Sequence, residues 1–78
     1  MRKFITSATG FFFLNDGETL KSSDLYGDIG RIYVTWPDGD IWRVKLWNYT
    51  KWESITEDTF STENFAFNFA YQHLLQGK

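Results

Sequence analysis

The chain has 78 residues, no cysteine, and 8 Phe, 4 Trp and 4 Tyr, so that 21% of its side chains are aromatic. The length predicts one domain over residues 1–78, and the absence of cysteine excludes a disulfide scaffold, a thiolate metal site and a cysteine nucleophile. A formal charge of −2 is too small to indicate a nucleic-acid or membrane partner by itself. With no covalent or metal cross-link, the aromatic rings must supply most of the core.

The first residues match a signal peptide only in part. Met1–Lys3 is basic, but the apolar region after it is interrupted by Thr6, Ser7 and Thr9, and no small-residue cleavage site precedes Asn15. No apolar run approaches the length of a membrane-spanning helix. Together with the missing cysteines, these observations predict a cytoplasmic protein that does not enter a membrane.

The first part of the chain predicts a hairpin at an Asp-Gly turn. Lys3–Thr9 is expected to be a strand that Gly10 bends or ends. Phe11–Leu14 is apolar at four consecutive positions, which predicts a strand that is covered on both faces or lies in an interface. The turn residues Asn15–Glu18 follow, and the Ser-, Asp- and Gly-rich segment Ser22–Gly30 predicts a loop.

A second hairpin is predicted at Pro37-Asp38-Gly39. Proline fixes φ and glycine supplies a positive φ, which is typical of a type I turn closed by a glycine bulge. This turn sets Trp36 opposite Asp40, and Val34 opposite Trp42. Since side chains alternate along a strand, the register assigns every residue of the hairpin to one of two faces.

In this register, one face of the second hairpin is uniformly apolar and is expected to be core. It consists of Ile32, Val34, Trp36, Trp42, Val44 and Leu46. The opposite face mixes cations with aromatic rings and is the predicted partner-binding site. Its candidate residues are Arg31, Tyr33, Arg43, Lys45 and Trp47, beside Thr35 and Ile41. The alternative is that this face packs beneath another element while its cations extend to solvent.

The C-terminal segment predicts a helix from about Thr62 to Gln76. Ser61 suits the N-cap, Glu63 the first turn and Gly77 the end of the helix. At helical spacing, one broad face is apolar and is expected to be buried. It comprises Ala66, Phe67, Ala70, Tyr71, Leu74 and Leu75. The strict alternation at residues 65–71 leaves a strand as the alternative.

The sequence contains no recognisable catalytic or metal set. His73 is the only imidazole, no Gly-x-Ser-x-Gly elbow presents a serine, and the ring of His73 is expected to pack at the solvent edge of the helix. Asp16, Glu18, Asp38 and Asp40 flank the two turn glycines and could hold Ca²⁺ if the turns met, but turn propensity alone explains them. We therefore predict a chain that is not an enzyme and has no cofactor or metal.

These elements predict an α+β fold in which two Asp-Gly hairpins form an antiparallel sheet of about four strands and one C-terminal helix packs on it. A small SH3-like or OB-like barrel is the alternative. The hairpin at residues 34–42 loosely resembles Tudor-like barrels, which also place a tryptophan near an Asp-Gly turn. Phe11–Leu14, if it lies in an interface, leaves a homodimer open.

Two functions from different classes fit the sequence. The first is a non-enzymatic protein-binding module, because the aromatic and basic face has the composition of interface hot spots. Small acidic α+β chains of this kind resemble phage-encoded inhibitors, which implies that the chain acts by occupying a surface of a host or immune-system protein. The alternative is single-stranded nucleic-acid binding, with Arg31, Arg43 and Lys45 as cations and with Tyr33 and Trp47 as stacking platforms.

Overall fold

One mixed sheet and one helix make up the fold. The computed structural model describes residues 1–6, 8–21, 30–48 and 51–76. Its elements are β1 (Arg2–Thr6), β2 (Thr9–Phe13), β3 (Arg31–Asp38), β4 (Ile41–Asn48), β5 (Lys51–Glu53) and α1 (Glu63–Gln76). The strands lie in the order β1-β2-β3-β4-β5, and only the β2–β3 pair is parallel. The predicted α+β class with a C-terminal helix is confirmed, but the sheet has five strands and is not purely antiparallel.

The first hairpin reverses direction between Thr6 and Thr9, before the Asp-Gly turn at which it is predicted. β1 pairs with β2 through the register Thr6↔Thr9, Gly10 lies within β2, and Ala8 adopts a φ of 61°. The Asp-Gly turn does form, with the amide of Glu18 donating to the carbonyl of Asn15 at 3.0 Å. It begins a crossover instead of a hairpin, because the next described strand, β3, runs parallel to β2. Most of the predicted loop, residues 22–29, lies outside the described residues.

The parallel pairing explains the continuous apolar run in β2. Phe11 and Phe12 point to opposite faces of the sheet and both are buried, as is Leu14 just beyond the strand. The expectation that this segment is covered on both faces is confirmed. α1 covers one face, called here the helix face, and Leu20 of the crossover packs on the other, called the crossover face.

The helix begins and ends close to its predicted limits, and the strand alternative for residues 65–71 is wrong. Its N-cap is Thr62, not Ser61, because the amide of Phe65 donates to Thr62 Oγ1 at 3.2 Å. The buried face is narrower than predicted. Ala66 and Ala70 lie against the sheet, whereas the predicted core residues Tyr71 and Leu75 are exposed. In the described part of the chain, no helix has the length and apolar content needed to cross a bilayer.

The second hairpin has a different register from the predicted one. A two-residue loop, Gly39 and Asp40, joins Asp38 to Ile41, and Gly39 has a φ of +68°. Glycine at the first loop position is typical of a tight hairpin turn, whose twist matches that of its strands. Pro37 is therefore a strand residue and not a turn residue.

Pro37 is tolerated in the sheet because an N–H at this position would have no hydrogen-bond acceptor in β2. The amide of Leu14 donates to the carbonyl of Thr35 at 2.9 Å, so the peptide groups of Thr35 and, two residues later, Pro37 point toward β2. β2 ends at Phe13, opposite Thr35, and therefore does not reach Pro37.

The new register changes which residues share a face. Val34 lies opposite Lys45 instead of Trp42, a displacement of three residues along β4. Because side chains alternate along a strand, an odd displacement places the predicted core residues of one strand on the same face as the predicted outer residues of the other. Val44 and Leu46 therefore join Tyr33 on the helix face, while Lys45 joins Val34 on the crossover face.

Replacing the cap residue tests the helix boundary. We expect Thr62→Ala to lower the free energy of unfolding by about 1 kcal/mol, because the amide of Phe65 loses its acceptor. Ser61→Ala is the matched control and should change stability much less. Urea denaturation measures both variants, and equal losses would contradict the assignment of the cap to Thr62.

Candidate functional site

The five predicted partner-binding residues do not share one face. Arg31 and Tyr33 lie on the helix face, and Arg43, Lys45 and Trp47 lie on the crossover face. The prediction of a single mixed surface is wrong because it depends on a register that is displaced by three residues along β4 from the observed one. Three of the five residues remain together.

Tyr33 is the clearest departure from the predicted site. Its side chain is fully buried, stacks on Phe11 with ring centroids 5.3 Å apart, and has its hydroxyl 2.7 Å from Nδ1 of His73 in a hydrogen bond. Burial raises the pKa of the Tyr33 hydroxyl above its ordinary value, an effect that Arg31 opposes and Glu53 reinforces. Tyr33 is therefore a core residue, and His73 packs inward against it.

The buried hydroxyl predicts a loss of stability at alkaline pH. Because its pKa is raised in the folded state, the contribution of Tyr33 is fully present below the unfolded value of 10.0 and is lost as pH rises through the folded pKa. We expect Tyr33→Phe to cost about 1 kcal/mol at neutral pH through the lost hydrogen bond, and to lose less stability than the wild type above pH 10.

Urea midpoints measured from neutral to alkaline pH check this prediction. Tyr71→Phe is the control, since Tyr71 is a partly exposed tyrosine of α1. If the two variants showed the same alkaline profile, the buried hydroxyl of Tyr33 would not be the responsible group.

The crossover face carries a lysine between two tryptophans. Lys45 Nζ lies 5.1 Å from the ring centroid of Trp36 and 4.0 Å from that of Trp52. An ammonium at these distances is attracted by both ring faces. We call this arrangement of Trp36, Lys45 and Trp52 the tryptophan cleft. Trp47 lies beneath it, edge-on to Trp52 with centroids 5.1 Å apart.

Three adjacent strands position the tryptophan cleft. In β3, Trp36 is the diagonal neighbour of Lys45, because Lys45 pairs with Val34. In β5, Trp52 pairs with Trp47 and is therefore also diagonal to Lys45. Diagonal neighbours on one face of a sheet are within reach of long and aromatic side chains. The regular alternation of three strands therefore brings the two rings to opposite sides of the lysine.

Two grooves adjoin the tryptophan cleft, and its three residues line both of them. The loop groove has a volume of about 270 Å³ and is also lined by Arg43, Val44, Glu53, Ser54, Thr56 and Asp58. The crossover groove has a volume of about 390 Å³ and is also lined by Leu14, Glu18, Thr19, Leu20 and Val34. The cleft therefore lies at the centre of a longer depression across the crossover face.

Three of the charged groups around the cleft, those of Arg43, Glu53 and Glu18, already have partners. Arg43 Nε donates to Asp38 Oδ2 at 2.6 Å, and Asn48 Nδ2 donates to Glu53 Oε2 at 2.7 Å. Glu18 Oε1 accepts from the amide of Asn15 at 2.8 Å. These contacts leave the ring faces, with the ammonium between them, as the main recognition feature of the depression.

Three of the candidate catalytic or metal-binding residues have other contacts. Asp38 pairs with Arg43, Glu18 lies at its own turn, and His73 bonds to Tyr33. Within the described ranges, no group of three or more His, Asp or Glu side chains is placed to hold a metal ion. The residues of the tryptophan cleft can take part in stacking, cation–π attraction and apolar contact.

Comparison of the chain with models of protein families, with curated proteins and with solved structures finds no match. The functional inference therefore depends on the residues themselves. Sequence reasoning missed Trp36 and Trp52 as site residues, because the first was assigned to the core and the second to no element. Only the register brings them to Lys45.

Neutralising the lysine tests the cleft. We expect Lys45→Gln to lower the free energy of unfolding by about 0.5–1 kcal/mol, since both ring contacts are lost from a partly exposed site. Lys51→Gln, which changes an exposed lysine of the edge strand β5, is the control and should be close to neutral. Thermal or urea unfolding compares them, and an equal effect would show that only net charge had been measured.

Proposed function

We propose that the chain is a non-enzymatic protein-binding module and that the tryptophan cleft is its binding surface. The observation that carries this proposal is the position of Trp36 and Trp52 at the junction of two grooves, with Trp52 38% exposed. Tryptophan is among the residues most enriched in interface hot spots, and such residues act best within a pocket that excludes water.

The surroundings of the cleft favour a protein over a nucleic acid. Single-strand binding needs accessible rings beside accessible cations. Tyr33 and Trp47 are buried, and Arg43 is paired with Asp38. The carboxylates lining the grooves, those of Glu18, Glu53 and Asp58, would repel a phosphate backbone.

The way the cleft is built suits a module that acts by occupying a partner's surface. Its side chains project from hydrogen-bonded strands, and Lys45 holds the two rings in place before any partner arrives. A preorganised surface loses little conformational entropy on binding. No reacting group is needed for inhibition of this type, which is the mode of action implied by the resemblance to phage-encoded inhibitors of host or immune-system proteins. We place this activity in the cytoplasm.

Affinity capture with matched variants tests the binding surface. Wild-type chain, Trp52→Ala and Phe65→Ala would each be immobilised and exposed to a bacterial lysate. Phe65 is an equally suitable exposed aromatic residue, but it belongs to α1, across the sheet from the tryptophan cleft. We expect a protein that wild type and Phe65→Ala retain and that Trp52→Ala loses. With the purified partner, Trp52→Ala should weaken binding about 30-fold, the equivalent of a hot-spot residue.

A partner that binds all three baits equally would move the interface away from the cleft and contradict the proposal. The nucleic-acid alternative has its own measurement, the fluorescence anisotropy of labelled single-stranded DNA and RNA at low and high salt. We expect no binding. An anisotropy increase that weakens with salt and is lost in Trp52→Ala would replace the protein-binding proposal with the alternative.

A further inference from the structure

In the part of the chain that the structure describes, β1 is an exposed edge of the sheet. β1 has five residues and pairs on one side with β2, whereas the opposite edge, β5, has only three. Two large apolar residues of β1 are exposed. Phe4, on the helix face, has 47% of its surface accessible, and Ile5, on the crossover face, has 55%. A long edge strand with apolar side chains on both faces is a template for pairing with another strand.

The hydrogen-bond pattern shows which peptide groups point outward. The amide of Leu14 donates to the carbonyl of Thr35 in β3. Because backbone groups alternate along a strand, the N–H and C=O of Phe11 point toward β1, where Phe11 pairs with Phe4. Phe4 therefore directs its N–H and C=O toward β2. Lys3 and Ile5, one residue to either side, direct theirs away from the sheet.

The cations of β1 lie over neighbouring rings and do not project from the edge. Lys3 Nζ is 5.1 Å from the ring centroid of Phe12, and the guanidinium of Arg2 is 5.4 Å from that of Phe13. Arg2 also pairs with the carboxylate of Glu63 on the helix. Lysine and arginine commonly protect edge strands, but here both side chains extend back over β2.

We propose that β1 pairs antiparallel with β1 of a second copy, about a twofold axis at Phe4. In this register Phe4 faces the partner's Phe4, Lys3 faces the partner's Ile5, and Arg2 faces the partner's Thr6. The outward peptide groups of Lys3 and Ile5 then form four hydrogen bonds with those of the second copy. The contact is isologous, as a closed dimer requires.

Charge selects this register over its neighbours. A twofold axis at Lys3 would oppose the two lysine ammonium groups directly, which destabilises a sheet. An axis at Ile5 would pair only residues 4–6 of the two strands. The axis at Phe4 uses all five residues of β1 and sets each cation opposite a neutral side chain.

Apolar contacts extend from β1 onto the helix. Phe4 and the partner's Phe4 form a non-hydrogen-bonded pair, in which opposite side chains lie closest. Tyr71 is 38% exposed and packs at 6.1 Å from Phe11 and 6.0 Å from Phe67, the two rings that also contact Phe4. In this proposal, β1 forms the interface of the homodimer that the sequence allows. Phe11–Leu14, its predicted interface, is instead covered on both faces within one chain.

Sedimentation velocity over a range of concentrations tests the dimer, with Ile5→Lys and Ile5→Glu as a matched pair. Ile5 is exposed in the monomer, so both variants should fold, which circular dichroism checks. Ile5→Lys places like charges opposite each other twice and should raise the dimer dissociation constant about tenfold. Ile5→Glu places a carboxylate opposite Lys3 of the second copy and should keep or tighten the dimer, and salt should reduce the difference between the variants.

Three results would overturn this proposal. One is a wild-type chain that remains monomeric at the highest soluble concentration. Another is an equal effect of the two Ile5 variants, which would exclude the register. The third is loss of the dimer in Trp52→Ala, which would assign self-association to the tryptophan cleft. Since Trp52 lies at the other edge of the sheet, failure of the β1 dimer leaves the protein-binding proposal to its own test.

Discussion

The two-residue turn at Gly39 and Asp40 is the constraint on which the rest of the structure depends. It fixes the register of β3 against β4, and the register decides which side chains meet α1 and which meet the crossover. The same register places Leu46 beside Tyr33 in the core and Lys45 between two tryptophans. A hairpin of the same sequence displaced by one residue on β4 would move Lys45 to the helix face, whereas Tyr33 would keep its face, because Tyr33 pairs with Phe11 of β2.

The parallel pairing of β2 with β3 is the second determinant. It requires a crossover, and the crossover provides cover for the face of the sheet that α1 leaves open. The abundant aromatic residues are thereby divided between two layers of core. Phe11 and Tyr33 belong to the layer beneath the helix, and Phe12 and Trp47 to the layer beneath the crossover. A small chain without cysteine thus buries apolar side chains on both sides of one sheet.

The sequence predicted features that depend on local pattern. The C-terminal helix, the turn at Asp16-Gly17 and the double cover of Phe11–Leu14 follow from periodicity and turn chemistry. The register did not, because Pro37-Asp38-Gly39 is compatible with a bulged turn as well as with the tight one. Hydrophobicity could not choose between them, since β3 is apolar at successive positions. The site prediction kept three residues on one face and missed Trp36 and Trp52, whose position beside Lys45 arises only from pairing across three strands.

The clustering of tryptophans gives the chain an optical property. Of its four indoles, Trp36, Trp47 and Trp52 lie at or directly beneath the tryptophan cleft, and Trp42 lies apart from them beside Phe60. Three of the four intrinsic tryptophan emitters therefore lie at the candidate site, and an ammonium contacts two of them. An occupant of either groove that displaced Lys45 would alter the tryptophan emission, so that the unlabelled chain can report on the occupancy of the proposed binding surface.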